Sequence, residues 1–151
     1  MKNKSKVAIA SLLLSSVALP ATAFAATAKT VPTTATYHFV ANEAGEPGGK
    51  GIMTPAYAKG TITVSSKTDH VCSQIVTKGL VNITAAHIHK GAKGANGPVV
   101  VAFVTKSIGT GKLSCIIVPA ASAKAIIKNP KGFYINVHTK KFPNGAVRAQ
   151  L

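Results

Sequence analysis

Short runs of β-branched and aromatic residues recur along the chain from residue 36 onward, and each run ends at glycine, proline, asparagine or lysine. Runs of this kind are typical of short strands joined by turns. In residues 60–65, Ile62 and Val64 alternate with threonines, which predicts a strand with one buried face. The predicted strands are residues 36–40, 60–65, 70–77, 83–89, 99–104, 113–118, 133–139 and 146–150. About eight strands in roughly 115 residues predict an all-β fold, a Greek-key or immunoglobulin-like β-sandwich, with a closed barrel as the alternative.

One segment departs from the strand pattern. Residues 120–128 are rich in alanine and include an isoleucine pair, and Asn129-Pro130 follows. Because proline cannot continue a helix, we predict one short helix that ends before it. Near the carboxyl end, Asn144-Gly145 stands between two strand-like runs and predicts the turn of a β-hairpin.

The first residues have the three regions of a secretory signal peptide. Three lysines within residues 2–6 precede an apolar run at residues 7–19, and the small tripeptide Ala23-Phe24-Ala25 follows. This run of 13 residues is shorter than the ~20 that a membrane-spanning helix needs. We therefore predict a signal peptide (residues 1–25), a flexible leader (26–35) and one domain (36–151). The mature protein would be secreted or periplasmic, without a membrane span.

Cys72 and Cys115 both lie in the predicted domain. An even number of cysteines in an exported chain predicts a disulfide, because the compartment is oxidising. The bond would close a loop of about 44 residues and contribute up to about 4 kcal/mol by restricting the unfolded chain. The spacing fits neither a redox motif nor a zinc ribbon.

The predicted mature chain is strongly basic. Cleavage would remove three of the 18 basic residues and none of the three acidic ones, so 15 basic residues face three acids, a formal charge of +12. Such a charge favours a polyanionic partner, and we expect an acidic cell-surface polymer or an extracellular protein. Specific nucleic-acid binding is not expected, because the lysines are dispersed and no aromatic residues are interleaved with them. Plain solvation of the surface is the alternative.

Three histidines form the most informative constellation. Because side chains alternate along a strand, His87 and His89 point to one face, about 7 Å apart. His138 shares a face with Tyr134 and Asn136 on another predicted strand. If the two strands are neighbours, the three imidazoles predict a metal site for copper or zinc, the ions that imidazole suits. The alternative is that these histidines only form hydrogen bonds to loop backbone.

A His-x-His strand also resembles the copper site of copper/zinc superoxide dismutases, although the likeness is one dipeptide long. Those enzymes add a bridging histidine and an aspartate for zinc. Only His38, His70 and Asp69 could take those places here.

Lys90, Lys93, Lys140 and Lys141 flank the three histidines in sequence. They would repel a cation and attract an anion, so we predict them as anion or partner contacts. Arg148, the single arginine, is predicted to face solvent from an edge strand, with pairing to a carboxylate as the alternative.

Catalytic arrangements are poorly supported. General acid/base catalysis by paired carboxylates needs two acids in one cleft, and the whole chain has three acidic residues. A triad would have to use Asp69, which is adjacent to His70 in sequence and poorly placed to orient it. A non-enzymatic role is therefore favoured.

Four motifs together resemble the CHRD domain, which is named for chordin and also occurs in exported bacterial proteins. The motifs are TAAHIH at residues 84–89, GANGPVVV at 94–101, FYINVHT at 133–139 and FPNGAVRAQL at 142–151. The resemblance implies an extracellular β-sandwich. In chordin the domain is part of a secreted protein that sequesters a signalling factor. Ala146 and Ala149 depart from the usual ending, where a glutamate and a glycine stand.

The sequence thus predicts an exported, non-enzymatic binding or envelope-associated module with a basic, histidine-containing face at residues 87–97 and 138–145. The alternative is an extracytoplasmic copper- or zinc-binding protein, with dismutase-like activity as a further option.

Overall fold

The computed structural model describes residues 32–41 and 56–151, together with the backbone of residues 43–44. The predicted signal peptide and residues 26–31 of the predicted leader lie outside the described residues. No helix within these described ranges is long and apolar enough to cross a membrane.

Strands dominate the described part of the chain. They are β1 (Thr34–Ala41), β2 (Glu43–Ala44), β3 (Tyr57–Ser65), β4 (His70–Lys78), β5 (Ile83–Lys90), β6 (Val99–Ala102), β7 (Ser114–Ile117), β8 (Phe133–Thr139) and β9 (Phe142–Gln150). They form a four-stranded sheet in the order β1-β3-β4-β7 and a five-stranded sheet in the order β2-β9-β8-β5-β6. Neighbouring strands are antiparallel throughout. The predicted all-β sandwich is confirmed.

The core lies between the two sheets, because alternate side chains of each strand point inward. Its largest fully buried apolar side chains are Ile62, Val64, Val71, Ile75, Ile88, Val101, Ile126, Ile135, Val137 and Val147. The predicted helix is also confirmed, as α1 (Ala120–Lys128), which begins after Pro119 and ends before Asn129. It buries Ala123 and Ile126 and packs against β3.

The predicted disulfide joins the two strands at one edge of the four-stranded sheet. Cys72 on β4 is directly opposite Cys115 on β7, and the two form a disulfide bond. The bond lies on the sheet that does not carry the three histidines, and it ties the last strand of that sheet to its neighbour.

The predicted hairpin turn at Asn144-Gly145 is wrong. Thr139 pairs directly with Phe142, so the two-residue turn is Lys140-Lys141 and β9 begins four residues earlier than expected. Gly145 serves another purpose, because its φ is +119° and a Cβ there would lie 2.4 Å from the side-chain oxygen of Asn136. Glycine at this position permits a close approach to a buried side chain rather than a hairpin turn.

A smaller difference concerns the first strand. β1 begins at Thr34, two residues before the predicted start, because Thr34 already pairs with Ser65 at the end of β3. The last two residues of the predicted leader therefore belong to the sheet.

Candidate metal centre

The three histidines lie together on the outer face of the five-stranded sheet. On β5, Ala86 and Ile88 point into the core, so His87 and His89 point away from it. β8 is the neighbour of β5, and His138 pairs with Ala85 while His87 pairs with Asn136. The pairing that the sequence could not establish therefore exists, and it places His138 diagonally across from His87.

The ring nitrogens of the cluster are close enough to share one ion. One nitrogen from each of His87, His89 and His138 lies within 4.8 Å of the other two. Nδ1 of His87 is 3.1 Å from Nε2 of His138. Two nitrogens bound tetrahedrally to zinc at about 2.0–2.1 Å are about 3.3–3.4 Å apart. The spacing of the His87–His138 pair is within about 0.3 Å of this value, and the His89 nitrogen, which lies within 4.8 Å of the other two, would have to move closer by on the order of 1 Å.

Hydrogen bonds to backbone carbonyls determine which ring nitrogens of His89 and His138 remain available to bind a metal ion. Nδ1 of His89 donates to the carbonyl oxygen of Gly97 at 2.9 Å, and Nδ1 of His138 donates to that of Pro143 at 2.8 Å. Because a carbonyl oxygen only accepts, each Nδ1 carries the hydrogen, and a neutral ring then keeps its lone pair on Nε2. Nε2 of His89 is buried and has no hydrogen-bond partner among the described residues.

A bulge in β9 supplies one of these carbonyls. Between the pairs Val137–Val147 and Thr139–Phe142, the single residue His138 faces the four residues 143–146. We call this segment the β9 bulge. The carbonyl of Pro143 in this bulge accepts a hydrogen bond from His138. Bulges beside functional side chains often change the direction in which those side chains point.

The other carbonyl belongs to the β5–β6 loop, residues 91–98, which folds back over the outer face. The backbone N–H of Lys90 donates to the carbonyl of Pro98 at 3.0 Å. A Cβ at position 97 would lie 1.7 Å from the carbonyl oxygen of Lys90. Glycine at 97 therefore lets the loop return closely enough for its carbonyl to hold His89.

The electrostatics favour a neutral His87. Burial, and then the neighbouring His138 and His89, lower the pKa of His87 from 6.5 to about 4. A neutral imidazole is the form that binds a metal ion, because the lone pair is not occupied by a proton. His87 is thus ready to act as a ligand across the whole neutral range.

The prediction that Arg148 faces solvent from an edge strand is wrong. β2 pairs outside β9, so β9 is not an edge strand, and Arg148 is only 4% exposed. Its guanidinium lies 3.6 Å from the centroid of the Tyr134 ring and donates to the carbonyl of Ala95. The Tyr134 ring is in turn stacked on His89, with centroids 4.9 Å apart.

Arg148 and Gln150 also lie on this face, and the sequence did not predict that they do. The side-chain amide of Gln150 donates to the carbonyls of Gly91 and Lys131 at 2.8 and 2.7 Å. The alternation along β9 could have put Arg148 and Gln150 on one face. However, only the pairing of β9 with β8, in which Arg148 is opposite Asn136, shows that this face is the one that carries the histidines.

The four predicted anion-contact lysines are all exposed, but they fall into two groups. Lys90 and Lys93 lie at one end of the β5–β8 pair, where Lys90 pairs with Phe133. Lys140 and Lys141 form the turn at the opposite end. The histidine cluster lies between these groups. The role of the lysines stays a prediction.

The remaining histidines are elsewhere. His38 on β1 lies 3.5 Å from the hydroxyl of Thr61, and His70 at the start of β4 bonds the carbonyl of Thr68. Both strands belong to the four-stranded sheet, as does the turn that holds Asp69. The residues that a two-metal, dismutase-like site would have to recruit are therefore on the other side of the sandwich.

Fold and site together define a small disulfide-linked β-sandwich with a histidine cluster on one outer face. A sequence profile of the CHRD domain matches residues 39–151, and the chain belongs to the CHRD domain family. A search of curated proteins finds no match to the chain, and a search of solved structures finds none either.

Proposed function

We propose that this protein is an exported metal-binding module that holds one copper or zinc ion with His87, His89 and His138. The observation that carries the proposal is the state of His89. Its Nδ1 hydrogen is committed to Gly97, while its buried Nε2 lone pair has no partner among the described residues. A buried polar atom without a partner costs about 1–3 kcal/mol, and a metal ion at Nε2 would remove that cost.

The hydrogen bonds behind the rings support the same function. A metal-binding histidine usually donates its second ring N–H to a carbonyl or carboxylate, which fixes the tautomer and the ring orientation. His89 and His138 both have such a bond, to Gly97 and Pro143. Imidazole nitrogens suit copper and zinc better than the hard cations calcium and magnesium, which prefer oxygen.

A purely structural role for the histidines explains only half of these contacts. Hydrogen bonds to loop carbonyls account for the two Nδ1 atoms. They do not account for His89 Nε2, and they do not require three imidazoles to converge. The two roles are compatible, because His89 and His138 each have one nitrogen bonded to a backbone carbonyl and a second nitrogen for the metal.

Export is supported by three independent features. The amino-terminal pattern is that of a signal peptide. The Cys72–Cys115 disulfide fits an oxidising compartment. Membership of the CHRD domain family fits an extracellular place of action.

The proposal is tested by titrating the untagged, exported protein with Cu(II) and with Zn(II) in a calorimeter. We expect one ion per chain, with binding lost in His87→Ala and in His138→Ala. His38→Ala is the matched control, because it removes a histidine from the other sheet and should leave the stoichiometry at one. Absence of binding by the unmodified protein, or equal binding by all variants, would refute the proposed site.

The second candidate function is attachment to an acidic cell-surface polymer. The observation in its favour is that exposed lysines lie at both ends of the histidine cluster, with Lys93 in the β5–β6 loop and Lys140 and Lys141 in the turn between β8 and β9. Affinity for a sulfated polysaccharide should fall steeply with salt, because counterions are released when charges pair. The double variant Lys140→Gln/Lys141→Gln should weaken binding and flatten that salt dependence. The control Lys59→Gln/Lys112→Gln changes two exposed lysines elsewhere and should not.

The dismutase-like option receives no comparable support. The candidates for the second metal, His38, His70 and Asp69, lie on the four-stranded sheet, away from the cluster. The proposal is accordingly a site for a single ion.

A further inference from the structure

Within residues 32–41 and 56–151, the histidine cluster supplies fewer ligands than copper or zinc usually takes. Among the described residues, the potential metal ligands that come together here are the three imidazoles alone. Both cysteines are committed to the disulfide. Copper and zinc in proteins take at least four ligands in most sites, and zinc sites with three protein ligands keep a position for an external one.

The three imidazoles are not equally accessible. His89 and His138 are 7% and 8% exposed, while His87 is only partly buried. His89 is stacked on the Tyr134 ring, and its Nδ1 is bonded to the carbonyl of Gly97 in the β5–β6 loop. The side of the cluster that solvent reaches is therefore the side of His87, and an external ligand would enter there.

The charge around the cluster determines which kind of ligand fits. Three neutral imidazoles leave the full double charge of the ion uncompensated. The nearby Arg148 adds a further positive charge that is almost fully buried. Asp69 is the one acidic side chain that the structure describes, and it lies in a turn of the other sheet. A doubly charged ion held by neutral imidazoles attracts an anion more strongly than a neutral ligand.

We propose that the metal bound by His87, His89 and His138 keeps an open coordination position on the His87 side and takes a small monodentate anion there. The inference rests on the proposed function, because it requires the ion to be bound. In water the position would hold a water molecule whose pKa the ion lowers, so hydroxide is the anion always at hand. Other small anions compete for the same place.

Azide is a suitable probe, because it binds copper through one nitrogen and changes its spectrum. The exported protein is loaded with one equivalent of Cu(II) and titrated with sodium azide, followed by visible absorption and by electron paramagnetic resonance. We expect a saturable change that corresponds to one azide per copper. Sodium perchlorate at the same ionic strength coordinates weakly and should produce no change. The His38→Ala variant should respond like the unmodified protein.

The outcomes separate the two proposals. If copper binds with one ion per chain but azide leaves both spectra unchanged, the position is closed and this inference is wrong, while the metal site stands. If copper does not bind, both the site and its open position are refuted. A response to perchlorate equal to that to azide would show a general effect of salt and would also overturn the inference.

Discussion

The Nδ1 atom of His87 and the Nε2 atom of His138 are 3.1 Å apart, on neighbouring strands. Because His138 Nδ1 donates to the Pro143 carbonyl, a neutral His138 accepts at Nε2, and His87 must donate from Nδ1. In the metal-free protein this hydrogen occupies the space between two potential ligands. Metal binding would replace one hydrogen bond with two coordinate bonds of nearly the same nitrogen spacing.

Stability of the metal-free protein should depend on His87 at mildly acidic pH. The pKa of His87 is lowered from 6.5 to about 4 by burial and by its two neighbours, so the unfolded chain binds this proton more readily than the folded one. The contribution is fully present above pH 6.5 and is lost as the pH falls towards 4. We expect the melting temperature to decrease across this window.

The control for this effect is a pair of variants. His87→Gln should flatten the decrease between pH 6.5 and 4, whereas His38→Gln, on the other sheet, should retain it. An unchanged slope in His87→Gln, measured by thermal unfolding in the presence of a chelator, would contradict the assignment.

Arg148 should be far more important for stability than a surface arginine. Its guanidinium is buried, stacks on Tyr134 at 3.6 Å and donates to Ala95. We expect Arg148→Ala to lower the free energy of unfolding by about 2–3 kcal/mol, since it removes a desolvated cation–π contact and a charged hydrogen bond. Urea denaturation measures this loss.

Lys59 provides the comparison, because its ammonium lies 5.7 Å from the Tyr57 ring centroid at an exposed position. Lys59→Ala should cost at most about 0.5 kcal/mol, as exposed substitutions usually do. Equal effects of the two variants would mean that the Arg148–Tyr134 contact contributes little.

Gly97 should be essential to the site although it has no side chain. A Cβ there would lie 1.7 Å from the Lys90 carbonyl oxygen, so Gly97→Ala must push the loop away and withdraw the carbonyl that holds His89. We expect a metal affinity at least tenfold weaker, in line with the loss of a supporting hydrogen bond to a ligand. Calorimetric titration with Zn(II) measures it.

Gly94, in the same loop, is the matched position. A Cβ there would meet nothing within 4 Å, although its φ of +79° makes alanine cost about 1–2 kcal/mol. Gly94→Ala should therefore lower stability modestly and leave zinc affinity unchanged. If both variants lose affinity equally, loop strain rather than the Gly97 carbonyl controls the site.

Much of the fold follows from local pattern in the sequence. The alternation of Ile62 and Val64 and the proline after α1 placed a strand and a helix correctly, because these signals are carried by neighbouring residues. The turn predicted at Asn144-Gly145 was wrong for a non-local reason. Glycine at 145 leaves room for the side chain of Asn136 on the neighbouring strand β8.

The candidate site could be predicted only in part. Strand alternation correctly placed His87 and His89 on one face. The position of His138 beside them depends on β8 being the neighbour of β5, which no local pattern in the sequence reveals. Arg148 was misplaced for the same reason, since a residue's burial depends on which strand and loop cover it. Strand order, a long-range property of the chain, is the missing information.

X-ray absorption at the zinc edge of the exported, zinc-loaded protein tests the site most directly. We expect a first shell at about 2.0–2.1 Å and outer-shell scattering from three imidazoles. In His89→Ala the imidazole contribution should fall to two or fewer, and in His38→Ala it should stay at three. A spectrum without imidazole scattering, or one that loses a ring in His38→Ala rather than in His89→Ala, would contradict the site.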